Sequence, residues 1–303
     1  MAADGLIGNS LFFFLSGYGL MRSEQKNHRS FLEYYLRRVL RIYPALWLVE
    51  IIFQLVLGET WKTWGAVDYV KHFIYPTDYG YIRQIMVFYI PFFFLARWRR
   101  PKVLVWLGLG LVIPYLVRYV MTLPPGGVVH LKLGITDGWL WDIFYFQLLL
   151  MGGFCGAQSG WRLIKQDISA VWLLAGALVA YVGLKFAMVV TGALIPGTSV
   201  PLGNFFLVLN LLTVVIVLLL FQVTTSQQVS SRVAAIAPVK WFVALTGGLT
   251  LEIYLCHEFI AYNALMEKIP FPINLIIWLA VTLAVSWGIG KIAQHLRWKL
   301  EKP

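Results

Sequence analysis

GNFFLVLNLLTVVIVLLLFQ, residues 203–222, runs for twenty residues without one Asp, Glu, Lys, Arg or His. A helix that crosses hydrocarbon needs about 20 consecutive, predominantly apolar residues, so this stretch alone places the chain in a bilayer. Reading outward, eight further stretches come near that length, roughly 5–22, 43–58, 79–97, 102–120, 139–156, 169–190, 242–262 and 272–292. None alternates apolar and polar residues as a barrel strand does, and backbone in hydrocarbon must satisfy its own hydrogen bonds, so helices are the remaining solution. The expectation is an all-α polytopic transmembrane helix bundle of about nine spans. No internal repeat or low-complexity linker divides the sequence, which predicts a single membrane domain over residues 1–303.

Composition agrees. The 303 residues are 59% hydrophobic and 13% charged, with a mean hydropathy of +0.73, whereas a soluble domain is about 45–50% apolar and about 25% charged. The formal charge of +11 would suggest nucleic acid in a soluble protein. Here Lys and Arg cluster between apolar runs, which makes them a topology signal. Alternate connections hold six (Arg22, Lys26, Arg29, Arg37, Arg38, Arg41), four (Arg97, Arg99, Arg100, Lys102), two (Arg162, Lys165), two (Arg232, Lys240) and four (Lys291, Arg297, Lys299, Lys302), eighteen of the 25 basic residues. The positive-inside rule assigns that set, and the C-terminus, to the cytoplasm. An odd number of spans then leaves the N-terminus outside, and MAADGLIGNS has no basic leader region or cleavage site. One upstream helix is therefore expected to be missing from this sequence.

Cys155 and Cys256 both fall inside apolar runs, with no CxxC and no His/Cys cluster at metal spacing, so neither a disulfide framework nor a structural zinc is expected. Two external connections look substantial. Residues 59–78 carry Trp61, Trp64, Tyr69, His72, Tyr75 and Pro76, and residues 121–138 carry Pro124, Pro125, Gly126 and Gly127. The aromatic residues of the first suit either stacking on a sugar ring or an interfacial belt.

Residues fit for chemistry fall in four places. Ser30 to Pro44 reads as a short interfacial helix entering a span. On it Arg38 and Arg41 are three apart and Arg37 and Arg41 four apart, hence on one face. Guanidinium forks at that spacing suit phosphate oxygens, and equally suit anionic lipid heads. Ser16 and Gly17, inside an aromatic stretch, can let helices approach closely. Thr250, Tyr254 and His257 fall at i, i+4 and i+7 and share a face, with Glu252 and Cys256 on another. An ionisable residue within a span is costly and marks function by default. His257 is either a base poised near neutral pH or a neutral imidazole bonded to a neighbouring helix. Glu50 and Lys185 each interrupt an apolar run and can pair across helices or line a polar cavity.

Taken together these residues resemble the acyltransferase-3 family of bacterial membrane acyltransferases. The resemblance is carried by F-F-F-L-S-G over Phe12 to Gly17, by Arg38-x-x-Arg41-Ile42-x-Pro44, by Thr250-Leu-Glu-Ile-Tyr-Leu-Cys-His257, close to the family's S-L-x-I-Y-L-x-H, and more weakly by Phe88-Tyr89-x-Pro91. Their order and separations agree with the family over nearly the whole sequence. The resemblance implies transfer of an acyl group, commonly acetyl, from cytoplasmic acyl-CoA as co-substrate to a hydroxyl of an envelope or exported glycan, in the bacterial inner membrane, with no tightly bound cofactor. It further implies that Arg37, Arg38 and Arg41 hold phosphates of CoA. Ser16, Tyr254 and His257 would do the catalytic work, with Glu50, Thr250 and Glu252 lining the cavity. The family's first span, which bears a histidine spaced from an arginine, precedes the F-F-x-L-S-G segment, and this sequence begins after that point. A family-like ten-span bundle lacking its first helix is the expectation, either as a shortened copy of an active enzyme or as a short form without that base. Two other functions compete. A transporter or flippase would favour internal repeats, which are not evident, and a non-catalytic scaffold would follow from a true short form.

Overall fold

The computed structural model describes residues 5–58, 60–76, 79–98, 101–122, 138–158, 160–194, 202–262, 266 and 268–301. Every regular element among them is helical. The expected connection at 121–138 lies almost wholly outside the described residues, as do Arg99, Arg100 and Lys302. The chain forms two compact units, each assembled from separated segments. One contains residues 1–28 and 90–233, the other residues 29–89 and 234–303.

In the first unit, α1 (Leu6–Lys26) lies along α7 (Gly138–Ala157). The sequence explains why they pack so closely. A Cβ added to Gly17 of α1 would run into the Leu149 carbonyl, and one added to Gly152 of α7 would run into the Phe14 carbonyl. The contact is thus reciprocal, backbone on backbone, as small residues permit where lipid supplies no hydrophobic drive between helices. The expectation for Gly17 is met. Around that seam, fully buried Phe13 stacks on Tyr145 at 4.6 Å, and Phe14 meets Phe221 edge-on. α9 (Leu202–Thr225) supplies Phe221 and packs on both α1 and α8 (Asp167–Leu194). Two short helices, α5 (Lys102–Gly110) and α6 (Val112–Thr122), cover another side of α7. Together they make up the single expected span at 102–120, Lys102–Met121, with a turn at Leu111.

In the second unit, α2 (Phe31–Val49) starts where the Ser30 side chain accepts a hydrogen bond from Glu33 N, which satisfies one of the orphan donors of a first helical turn. It continues without a break into a wider turn over Glu50–Val56, where the Leu57 N–H bonds back to the Ile52 carbonyl. The expected interfacial helix and the span after it are therefore one rod, Phe31–Val56. Two side chains of α2 secure the end of the short helix α3 (Ala66–Phe73). The Tyr43 hydroxyl donates to the Ile74 carbonyl (2.6 Å) and the Trp47 indole N–H to the Phe73 carbonyl (2.8 Å). At its other end the Asp68 carboxylate accepts from the Gly65 N–H and lies beside Lys71, and these contacts hold its pKa below the usual carboxylate value.

α4 (Gly80–Arg97) and α10 (Gln227–Ala234) follow in chain order. The expected helix at 242–262 is broken. α11 (Ala237–Gly248) and α12 (Thr250–Ala261) meet at a 79° bend, placed where Gly247 and Gly248 weaken the helix. α13 (Ile273–Glu301) packs on α12 and α2.

Among the described residues, six helical segments are long and apolar enough to cross a membrane, or seven if the bent α11–α12 pair is one span. The expected count of about nine is not reached, because α1 and α4 fall outside that set. α1 carries Glu24, Arg22 and Lys26 near one end, and α4 carries Arg83 and Arg97.

Glu50 has a partner within the second unit. Its carboxylate is fully buried and meets His72 Nδ1 at 3.1 Å, and Trp64 stacks on the His72 ring with centroids 3.9 Å apart. Lys185 lies over the Tyr181 ring within the first unit. A buried carboxylate needs a partner to offset its lost hydration, and the aromatic connection at 59–78 supplies one. Glu50→Ala is expected to destabilise the protein by about 1–3 kcal/mol, the cost of stranding a hydrogen-bonded polar group, read from unfolding midpoints in detergent, with Glu50→Gln milder.

Candidate active site

The residues singled out for chemistry divide between the units. Ser16, half-buried on α1, Gly17 and Lys185 belong to the first; Arg37, Arg38 and Arg41, Glu50 and the residues of α12 belong to the second.

The core of the site is α12. Because the chain breaks at Leu249, Thr250 becomes the first residue of a short helix rather than the middle of a long one. Its exposed hydroxyl donates to the Gly247 carbonyl at 3.4 Å, bridging the break. One turn on, Tyr254 points its hydroxyl at the start of α4, where it accepts from the Tyr81 N–H at 3.4 Å. First-turn N–H groups have no partner inside their own helix, and Tyr254 supplies one. Tyr79 and Tyr81 both pack against the Tyr254 ring, and Phe259 lies between Tyr79 and Phe53.

His257 Nδ1 lies 2.7 Å from the Tyr254 carbonyl oxygen. A carbonyl can only accept, so Nδ1 carries the proton, and in the neutral imidazole the lone pair is on Nε2. The His257 main-chain carbonyl in turn accepts from the Trp278 indole N–H of α13 at 3.1 Å. Side chain and backbone are thus both held, and the ring is left half-buried. This is the arrangement a general base requires: a fixed tautomer with the basic nitrogen defined.

Glu252 sits on a different side of α12, over Gly290 of α13, with Arg41 of α2 and Arg297 of α13 as its cationic neighbours. The three helices α2, α12 and α13 thereby contribute one charge each to a single cluster.

The arginine series does not act as one face. Arg37 is exposed and bonded to Glu33 at 3.1 Å. Arg38 lies over the Tyr34 ring, its guanidinium carbon 5.2 Å from the centroid, with Nε buried. Arg41 is exposed and associated with Glu252. Cys256 is a fully buried free thiol beside Ser286. Among the described residues no group of three or more His, Cys, Asp or Glu could hold a metal ion.

Trp278, Tyr81 and the role of Arg297 escaped the sequence reading, since each acts from another element on a backbone atom or a distant charge. The signal available was small: an indole in an apolar helix and an arginine near its end.

No curated protein and no solved structure matches this chain. A family model described as an acyltransferase domain matches residues 3–291, which takes in Thr250, Tyr254, His257 and Trp278 but not Arg297. With its apolar helices and this match over nearly its whole length, the chain is a multi-pass membrane protein and belongs to the acyltransferase-3 family of acyltransferases.

Proposed function

We propose that this protein is an O-acyltransferase that moves an acyl group, acetyl in the simplest case, from acyl-CoA on the cytoplasmic side to a hydroxyl of an envelope or exported glycan. Family membership supports acyl transfer, and the defined Nε2 of His257 is the observation that carries the assignment of the base. His257 Nε2 takes the proton of the acceptor hydroxyl as its oxygen attacks the thioester carbonyl. The new C–O bond forms, the C–S bond breaks, and the departing thiolate recovers the proton from the imidazolium. The Nδ1–H to carbonyl hydrogen bond holds the ring while Nε2 gains and returns that proton.

Tyr254 and the aromatic residues packed around it narrow the space beside the imidazole, which limits water and hence hydrolysis of the thioester. Ser16 is kept as a further catalytic candidate on the strength of the F-F-F-L-S-G resemblance. Arg41 is the best placed of the three arginines for a CoA phosphate, since it is exposed and no salt bridge or ring contact holds it among the described residues. Arg38 offers its remaining N–H groups, and Arg37 is the most committed elsewhere. The basic-residue bias supports a cytoplasmic C-terminus, and family membership supports a place in the bacterial inner membrane.

Arg41→Ala is expected to raise the KM for acyl-CoA about tenfold, the loss of roughly one charge-assisted hydrogen bond to phosphate, while kcat changes little. The assay is initial-rate transfer of labelled acetyl in membranes. An unchanged KM in both Arg41→Ala and Arg38→Ala would remove the arginines from the donor site.

A further inference from the structure

The first unit contains a cavity of about 190 Å³ at the end of the bundle that carries Arg22 and Arg162. Its floor is apolar, formed by Cys155 and Phe221, which belong to a buried cluster with Phe14 and Val217. Its walls are Tyr18, Arg22, Trp161 and Arg162. None of these takes part in the α12 site.

The rim is rigid for a reason legible in its bonds. Gln222 of α9 accepts from the N–H groups of Leu163 and Ile164 at 3.0 Å each and donates to the Ile164 carbonyl at 2.7 Å. Ser226 donates to Asp167 at 2.6 Å, and Asp167 in turn holds Arg162 at 3.4 Å. The loop bearing Trp161 and Arg162 is thereby fixed against the end of α9. The amide of Gln222 and the hydroxyl protons of Ser226 and Thr225 are spent on protein acceptors.

What remains toward the cavity is a set of donors. Among the described residues Arg22 has no carboxylate partner, and its guanidinium carbon lies 5.7 Å from the centroid of the Tyr18 ring. The Tyr18 hydroxyl and the Trp161 indole N–H have no hydrogen-bond partner among the described residues either. Arg162 commits one nitrogen to Asp167 and is 52% exposed. Two guanidinium groups, a phenol and an indole N–H around a small preformed cavity match an anion with several acceptor oxygens, and a guanidinium fork fits phosphate in particular.

From this geometry we propose that the cavity binds a phosphate group, with Arg22 as its main anchor and Arg162 as its second. Its lining includes none of the arginines assigned to acyl-CoA. Its ligand is the phosphodiester of an anionic lipid or the phosphate of a soluble nucleotide.

The test uses the full chain purified in neutral detergent. One arm titrates adenosine 3′,5′-bisphosphate by calorimetry. The other counts phosphatidylglycerol retained by the protein, by native mass spectrometry, after release from mixed phosphatidylcholine–phosphatidylglycerol nanodiscs. Binding of either probe is expected, and the arm that responds names the source. Arg22→Gln is expected to weaken it about tenfold or more, as one charge-assisted contact would. Arg22→Lys, which keeps the charge, should recover part of the loss and so separates lost binding from lost folding. Lys71→Gln, which removes an exposed charge on α3 outside both groups of arginines, should bind as the parent does. The proposal is overturned if neither probe binds, if Arg22→Gln binds like the parent, or if Lys71→Gln abolishes binding as fully as Arg22→Gln.

Discussion

Replacing His257 with Gln is expected to reduce acyl transfer by about 10²–10⁴-fold, the usual contribution of a positioned general base. The variant should still fold. Trp278 bonds to the main-chain carbonyl of residue 257, not to the imidazole, so the tie between α12 and α13 survives. The apolar neighbours Leu255, Cys256 and Ile260, which bury α12, are untouched. Gln can also donate to the Tyr254 carbonyl, which preserves the local bond while removing the basic nitrogen. The measurement is kcat for labelled acetyl transfer in membranes, alongside the unfolding midpoint of the purified variant. Loss of rate at an unchanged midpoint is the predicted pattern. A rate within a factor of a few of the parent would show that His257 is held for structure alone.

The second large effect is structural. Gly17→Ala is expected to cost about 3 kcal/mol or more, beyond the ordinary range for overpacking a core, because the atom it strikes is the Leu149 carbonyl of a facing helix and not a mobile side chain. Gly152→Ala meets the Phe14 carbonyl in the same way. No rotamer relieves either collision, so α1 and α7 must move apart and open the Phe13–Tyr145 stack. Gly19→Ala is the control. It lies on the same helix, two residues on, with nothing within 4 Å of an added Cβ. It should be neutral or slightly stabilising, since Ala favours helix over Gly by up to about 1 kcal/mol. Unfolding midpoints in detergent, with the yield of folded protein, report all three. Equal midpoints for Gly17→Ala and Gly19→Ala would contradict the close crossing.

Much of the helical fold was legible in residues 203–222 and their counterparts, because span length and lack of charge are properties of single segments. Gly17 was legible for the same reason: a small residue in an aromatic run has few uses other than close approach. What the sequence concealed depended on partners remote along the chain. Hydropathy alone makes 242–262 look like one span, and the 79° bend appears only where Gly247 and Gly248 give way. Glu50 and Lys185 are the two charges that stand out within runs, which invites pairing them. A partner of Glu50, His72, lies in a polar-looking connection 22 residues on.

The site was legible in part. The i, i+4, i+7 spacing placed Thr250, Tyr254 and His257 on α12 together. It could not reveal that Thr250 bridges the break, or that the Tyr254 carbonyl, a backbone atom, sets the His257 tautomer. The arginine pattern was misleading in a physical sense. Helical spacing fixes where Arg37, Arg38 and Arg41 start, but long side chains go to their nearest partners, for Arg37 and Arg38 here Glu33 and the Tyr34 ring.

The most direct test of acyl-CoA-dependent transfer is reconstitution of the purified full chain into proteoliposomes, with acetyl-CoA labelled in its acetyl group and an envelope glycan extract as acceptor. Label in the carbohydrate as a base-labile ester, matched by an equal release of free CoA thiol, is the predicted result. Movement of unlabelled carbohydrate across the bilayer with no thiol released would contradict it.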